Sequence, residues 1–176
     1  VKGIRSKDIE TLYEALLHGA NNAGPLTAVG RAGASFYNQL GYVPYDVKIN
    51  ENAARTLEYA YDDFSIYQLA KSLNKPANDV AHYKAKAYNY KNLFDPASGL
   101  MRGKNENGQF QSPFNPFKWG DAFTEGNSWH YTWSVFQDVE GLAKLMGGHQ
   151  AIEIKLDSVF SLPPILDDSY YGFPIH

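Results

Sequence analysis

With 176 residues, the chain is one domain's worth of polypeptide, able to bury a single core. It has no cysteine, which removes disulfides, thiolate nucleophiles and cysteine-based metal sites together. A net charge of −3 without a Lys/Arg cluster argues against a nucleic-acid partner, and no apolar run approaches the ~20 residues a bilayer span needs.

Residues 6–20 predict a first helix. Ser6 can cap it, Asp8 and Glu10 suit its positive first turn, and Ile9, Leu12, Tyr13, Leu16 and Leu17 form an apolar stripe. Gly19 and Asn21-Asn-Ala-Gly-Pro25 should end it. A short second helix covers about 32–40, closed by Gly41, and Val43-Pro-Tyr-Asp46 is extended because the residue before proline avoids helix. Helix 50–73 carries Leu57, Ala60, Tyr61, Phe64 and Leu69 at helical spacing, with Asn50 or Asn52 as cap and Asn74-Lys-Pro76 as stop. Asn78 can cap a fourth helix to about residue 91, with Val80, Tyr83, Ala87 and Tyr90 on one face. Two helices joined by so short a link form an antiparallel αα-hairpin.

The connection 93–124 has little helical signal, and one that long inside a compact helical domain is usually functional. Within it Asn107-Gly108 predicts a small β-hairpin between Leu100–Arg102 and Gln109–Gln111. A fifth helix, 129–146, carries Val135, Val139, Leu142 and Leu145 and ends at Gly147-Gly148. A sixth, 151–160, stops before Pro163-Pro164, and the tail 167–174 is turn-like and aromatic. What recurs is helix, short turn, helix, long aromatic loop. Such pairs stack into a toroid whose long loops gather at one end, so the expected fold is all-α.

The densest chemistry lies at the end of the long loop. Glu125 stands beside Gly126 and Asn127, with Trp119, Trp129 and Trp133 near it in sequence. Indole rings offer flat apolar faces with a polar edge, which suits the C–H faces and hydroxyl rim of a sugar. A carboxyl group walled by such rings is partly desolvated, and its neutral form is favoured, as a general acid requires. The bland alternative is that Glu125 complements a helix dipole and the aromatics are core.

Glu125-Gly-Asn-Ser-Trp-His-Tyr-Thr-Trp133, followed by Asp138-Val-Glu-Gly-Leu142, resembles the signature of the family 92 glycoside hydrolases, calcium-dependent exo-α-mannosidases. Two further collinear segments are similar to that family. One is Gly41-Tyr-Val-Pro44 with Arg55-Thr-Leu-Glu-Tyr-Ala-Tyr-Asp-Asp-Phe64; the other is Asn89-Tyr-Lys-Asn-Leu-Phe-Asp-Pro-Ala-Ser-Gly-Leu-Met-Arg102. The resemblance implies that residues 1–176 are a single partial domain, the middle portion of a catalytic (α/α)6 barrel, without the family's N-terminal β-sandwich and the rest of the barrel. It implies an inverting exo-α-mannosidase acting on α-1,2-linked mannosides in N-glycan degradation, secreted or periplasmic, with Glu125 as general acid. The base, one of a downstream Asp pair, and the ligands of a Ca2+ ion would then lie outside this chain, and the chain alone should be inactive.

Trp129 and Trp119 are the expected walls of the sugar site, and Trp133, one turn further on, is expected in the core. Asn127 can bond a hydroxyl or cap the helix. Asp63 and Arg31 are candidate hydroxyl contacts, Arg55 and Glu58 can simply pair at i, i+3, and Asp167-Asp168 reads as a solvated turn. The five histidines show no metal-ligand spacing, so no metal ligand is assigned in this chain. The sequence departs from the family pattern at His130, where Gln is usual, at Gln137, where His is common, and at Ala32, where Pro is frequent. A competing reading is a non-catalytic helical domain that binds glycans through its aromatic patch.

Overall fold

The structure is a computed structural model, and it describes residues 8–22 and 30–174. Seven α-helices lie within these residues: α1 (Ile9–Asn21), α2 (Ala34–Leu40), α3 (Asn52–Ser72), α4 (Ala77–Lys86), α5 (Ser128–Tyr131), α6 (Val139–Met146) and α7 (His149–Ser161). A two-stranded antiparallel sheet, β1 (Phe94–Asp95) with β2 (Leu100–Met101), opens the long connection. The all-α expectation holds.

The centre of the molecule is α3. Ala53, Ala54, Leu57 and Ala60 are almost fully buried, and their small or branched side chains let neighbours approach on several sides. One core cluster joins Leu57 and Ala60 to Tyr90, Leu93 and Met101 of the hairpin region, to Phe123 of the loop, and to Val135 and Leu142. A second joins Ile66, Leu69 and Ala70 of α3 to Tyr13 of α1 and Tyr83 of α4. α3 and α4 pack along each other across the link 73–76, the expected αα-hairpin, and α6 pairs with α7 across Gly147-Gly148. Tyr61 departs from the expected apolar stripe. It is 41% exposed and stacks on Phe64 at 6.4 Å, because the buried face of α3 runs through Ala60, Asp63 and Ile66 instead.

Several boundaries differ from the sequence expectations, each for a tertiary reason. Gly19 does not stop α1, which continues to Asn21, where the Asn21 amide donates to the Leu17 carbonyl at 2.8 Å and to the Tyr83 hydroxyl at 3.1 Å. Ser6 and Gly24-Pro25 lie outside the described residues. Neither Asn50 nor Asn52 caps α3. Its first N–H groups, on Ala53 and Ala54, donate to the Ala122 carbonyl at 3.0 and 3.1 Å, so the long loop caps the helix from outside. α4 gives way after Lys86 to a 3-10 turn over Asn89–Leu93, with the Tyr37 hydroxyl and the Gln137 amide taking the Lys86 and Ala87 carbonyls.

The long fifth helix is in fact two. The Thr132 hydroxyl donates to Ser128 O at 2.7 Å and accepts the Met101 N–H at 2.9 Å, which fastens this turn to β2. Asp138 then starts α6 by accepting from Gly141 N–H at 3.0 Å. Around Asn107-Gly108 the expected turn forms, but with a single bridge between Lys104 and Phe110. Leu100 and Met101 pair backwards with Asp95 and Phe94. The turn between them is set by Asp95, whose carboxylate accepts from Ala97 N–H at 3.0 Å and from the Ser98 hydroxyl at 2.9 Å, and by Gly99 at φ 68°.

Candidate active site

The segment 119–131 is a knot of short-range bonds that leaves one carboxylate outside. Gly120 N–H donates to Gly126 O at 2.8 Å, closing the loop on itself, and the Tyr131 hydroxyl donates to Thr124 O at 2.9 Å, fastening it to α5. Within this loop Asp121 and Glu125 both adopt left-handed backbone, φ 62° and 44°, which non-glycine residues enter only when their surroundings require it. The flanking residues Phe123 and Asn127 are buried while Glu125 is exposed. The left-handed turn is what brings the carboxyl out.

Asn127 spends its side-chain oxygen on the helix. Its Oδ1 accepts from Trp129 N–H at 3.0 Å and His130 N–H at 3.3 Å, and its own N–H donates to His130 Nδ1 at 3.3 Å. This is a reciprocal capping box with histidine at the third helical position, a place Gln or Glu commonly fills. The family's usual Gln would serve the same purpose, so the departure at His130 preserves the cap. Asn127 is 5% exposed and acts as a support of the loop; the hydroxyl contact considered for it is not its position here.

Glu125 lines a cleft of about 360 Å³ together with Trp119, Tyr171 and Phe173. Among the described residues it takes part in no ion pair. Trp119, set edge-on to the His130 ring at 5.3 Å, lines this cleft. Trp129 does not line this cleft. Its ring carries Lys155 Nζ of α7 at 4.5 Å and lies beside Phe117 at 6.3 Å, so it joins α5 to α7. Of the three tryptophans only Trp119 flanks the acid, and the carboxyl group is less enclosed than the sequence suggested. Trp133 packs against the main core, as expected.

Two wall residues were missed. Tyr171 and Phe173 reach the cleft because the tail adds a parallel bridge between Lys118 and Asp167, with Trp119 N–H donating to Asp167 O at 2.7 Å. The Asp167-Asp168 turn is solvent-facing, as expected, and Asp167 also ties it to this segment. Its carboxylate also accepts from Asn115 at 2.7 Å, and its bonds from Ser169 hold its pKa below the usual carboxylate value. Aromatic richness of the tail was the available signal; the docking partner was not in the local pattern.

Asp63 and Arg31 meet each other and not the cleft. Asp63 is wholly buried, with Arg31 Nη1 at 2.8 Å on one oxygen and the Tyr37 hydroxyl at 2.9 Å on the other, and Lys86 Nζ is 3.9 Å away. Arg31 also lies over the Tyr59 ring at 4.9 Å. The pair braces α2, α3 and α4, which leaves neither side chain free for a substrate hydroxyl. Arg55 pairs with Glu51 at 3.0 Å, one turn back, in place of Glu58. Among the described residues no group of three or more His, Asp or Glu side chains is placed to hold a metal ion, and none of them is assigned as a ligand of the Ca2+ that the resemblance implies.

Residues 1–171 match the glycosyl hydrolase family 92 catalytic domain, and the chain belongs to that family. It is similar to the inverting mannosidase BT2199 of Bacteroides thetaiotaomicron, at 44% identity and a TM-score of 0.85, over 98% of this chain and 23% of that one. It also resembles the α-mannosidase BT3965 of the same organism in complex with mannoimidazole, at 35% identity and a TM-score of 0.82, over 94% of this chain and 21% of that one. An uncharacterized secreted glycosidase of Arthroderma benhamiae is 27% identical over 181 residues, 85% of this chain and 23% of its own length. The chain thus spans under a quarter of each of these relatives.

Proposed function

We propose that the protein carrying this chain is an inverting exo-α-mannosidase that removes terminal mannose from α-1,2-linked mannosides of N-glycans outside the cytoplasm, and that Glu125 is its general acid. The observation that carries this reading is the exposed Glu125 carboxyl, held on left-handed backbone in a cleft walled by Trp119, Tyr171 and Phe173. The Trp119 face takes the apolar side of the sugar ring, and Glu125 passes its proton to the glycosidic oxygen as the bond to the anomeric carbon breaks. Inversion then needs a base about 6.5–9.5 Å across the ring to take a proton from the attacking water. We assign that base, and the Ca2+ ligands, to parts of the protein outside this chain. Residues 1–176 accordingly form part of a catalytic (α/α)6 barrel that is inactive in isolation.

The test is Glu125→Gln in the whole protein, assayed on an α-linked mannobiose and on dinitrophenyl α-mannoside. Loss of proton donation should lower kcat on mannobiose by about 10²–10⁴-fold. A dinitrophenolate departs without a proton, so the second substrate should be affected far less. Equal losses on both, or none, would reject Glu125 as the acid.

A further inference from the structure

The loop that carries Glu125 is fastened on both sides. The capping box and the Tyr131 hydroxyl hold its α5 side. Its other side meets the start of α3, where Glu51 N–H donates to Asp121 O at 2.8 Å and the Ala122 carbonyl caps the helix. Asp121 stands at that junction, and its side chain is engaged as fully as its main chain. One carboxylate oxygen accepts both the Tyr45 hydroxyl at 2.9 Å and Lys118 Nζ at 2.8 Å. Tyr45 is a fixed post. The fully buried Pro44 precedes it, and its own N–H donates to Lys104 O at 2.8 Å. Burial, and then the bond to Asp121, push the Tyr45 phenol up to about 12, so it remains a donor.

This engagement bears on where the acid points. Among the described residues Glu125 takes part in no ion pair, so the backbone beneath it directs its carboxyl. That backbone is a short span in which the buried Ala122 and Phe123 lie between two left-handed residues, Asp121 at φ 62° and Glu125 at φ 44°. Non-glycine residues keep such a conformation only where their surroundings over-determine it. At Asp121 the phenol bond and the charged bond from Lys118 supply that constraint, and charge-assisted bonds are the strong ones. Neither Asp121 nor Tyr45 lines the Glu125 cleft, so their influence on it passes through the loop.

We propose that Asp121 is a positioning residue for the general acid, and that Tyr45 and Lys118 hold it so that the loop keeps the one conformation that aims Glu125 at the glycosidic oxygen. The inference rests on reading Glu125 as that acid. Three variants address it. Asp121→Gly removes the carboxylate while suiting φ 62°, and Tyr45→Phe removes only the phenol donor. Asp121→Asn is the conservative exchange, because it tolerates the same backbone and keeps an acceptor oxygen.

In the whole protein, the variants would be compared with Glu125→Gln on an α-linked mannobiose and on dinitrophenyl α-mannoside. Displacing a catalytic group by ~1 Å costs on the order of 10²-fold in rate. Asp121→Gly should therefore lower kcat on mannobiose at least about tenfold, and change its KM and the turnover of the aryl mannoside by less than about twofold. Tyr45→Phe should show the same split more weakly, and Asp121→Asn should restore most of the loss. Equal losses on both substrates, or none on either, in a protein whose Glu125→Gln variant does show the split would overturn the positioning role and leave the acid assignment standing. Amide hydrogen exchange over residues 120–126 decides the anchoring without turnover. Exchange at least about tenfold faster in Asp121→Gly and Tyr45→Phe, with the interior of α3 unchanged, supports the role. Unchanged exchange rejects it, even if Glu125→Gln proves fully active and the acid assignment fails. Should Asp121→Gly fail to fold, Tyr45→Phe carries both readings.

Discussion

At the scale of single residues, the candidate site depends on the bonds that aim Glu125 as well as on Glu125 itself. The capping box is the clearest case. His130 must accept the Asn127 N–H through an unprotonated Nδ1, yet the same nitrogen lies 2.8 Å from Asn127 Oδ1. A neutral Gln amide can satisfy both neighbours without that conflict. His130→Gln should therefore keep or slightly raise stability, while His130→Leu should cost about 1 kcal/mol in urea unfolding, the usual worth of a lost cap interaction. A loss of stability in the Gln variant equal to that in the Leu variant would contradict the role given to the box. That Glu125 and Trp119 lie together was legible from the sequence because the segment 119–131 folds on itself. Trp129 was not, since its ring is claimed by Lys155, which approaches from α7.

Among the elements, the small sheet shows how little a hairpin needs when one carboxylate organises it. Asp95 is buried, which alone would raise its pKa, but Arg102, Ser98 and the Ala97 N–H together hold it below the usual value of 3.8. A carboxyl group whose folded pKa is depressed stabilises the fold above the unfolded pKa, and that contribution is lost as pH falls through the folded value. Stability should hence decline more steeply below about pH 4 in the wild type than in Asp95→Asn, which starts less stable and lacks this titration. Parallel acid-denaturation curves for the two proteins would contradict the assignment. Helix existence was readable here because apolar spacing is local. The break between α5 and α6 was not, since Thr132 and Asp138 look helical until Met101 and Tyr90 bond them, the latter at 2.7 Å to Asp138. Pairing of β2 with β1 was equally hidden, because Asn107-Gly108 gave the stronger turn signal and Asp95 gave its own only through side-chain bonds.

For the molecule as a whole, the buried ion cluster is the point where three helices are held in register. Asp63 of α3 receives Arg31, which precedes α2, and Tyr37 within α2, with Lys86 at the end of α4 nearby. Removing one partner strands the other charge, so Asp63→Ala should destabilise by about 3–5 kcal/mol. Asp62 is also 3.7 Å from Arg31, but its side chain is 61% exposed, and Asp62→Asn should change stability by less than about 1 kcal/mol. Urea unfolding of the two variants checks the contrast, and similar values would remove the cluster's structural role. The sequence offered Asp63, inside a family block, and Arg31, outside those blocks, as separate candidate sugar contacts. Only the packing of α2 on α3 reveals that they meet each other.

The dependence of the cleft on the tail has a temporal meaning as well. Gly120, at φ 83°, has no room for a side chain because the Tyr170 and Tyr171 rings press on it. The central helices and the carboxylate's own loop are all made earlier in synthesis than those two rings. A nascent chain would therefore possess its framework and its exposed carboxylate before it possessed the Tyr171 and Phe173 walls, and the docking of residues 167–173 would turn an open surface into a cleft.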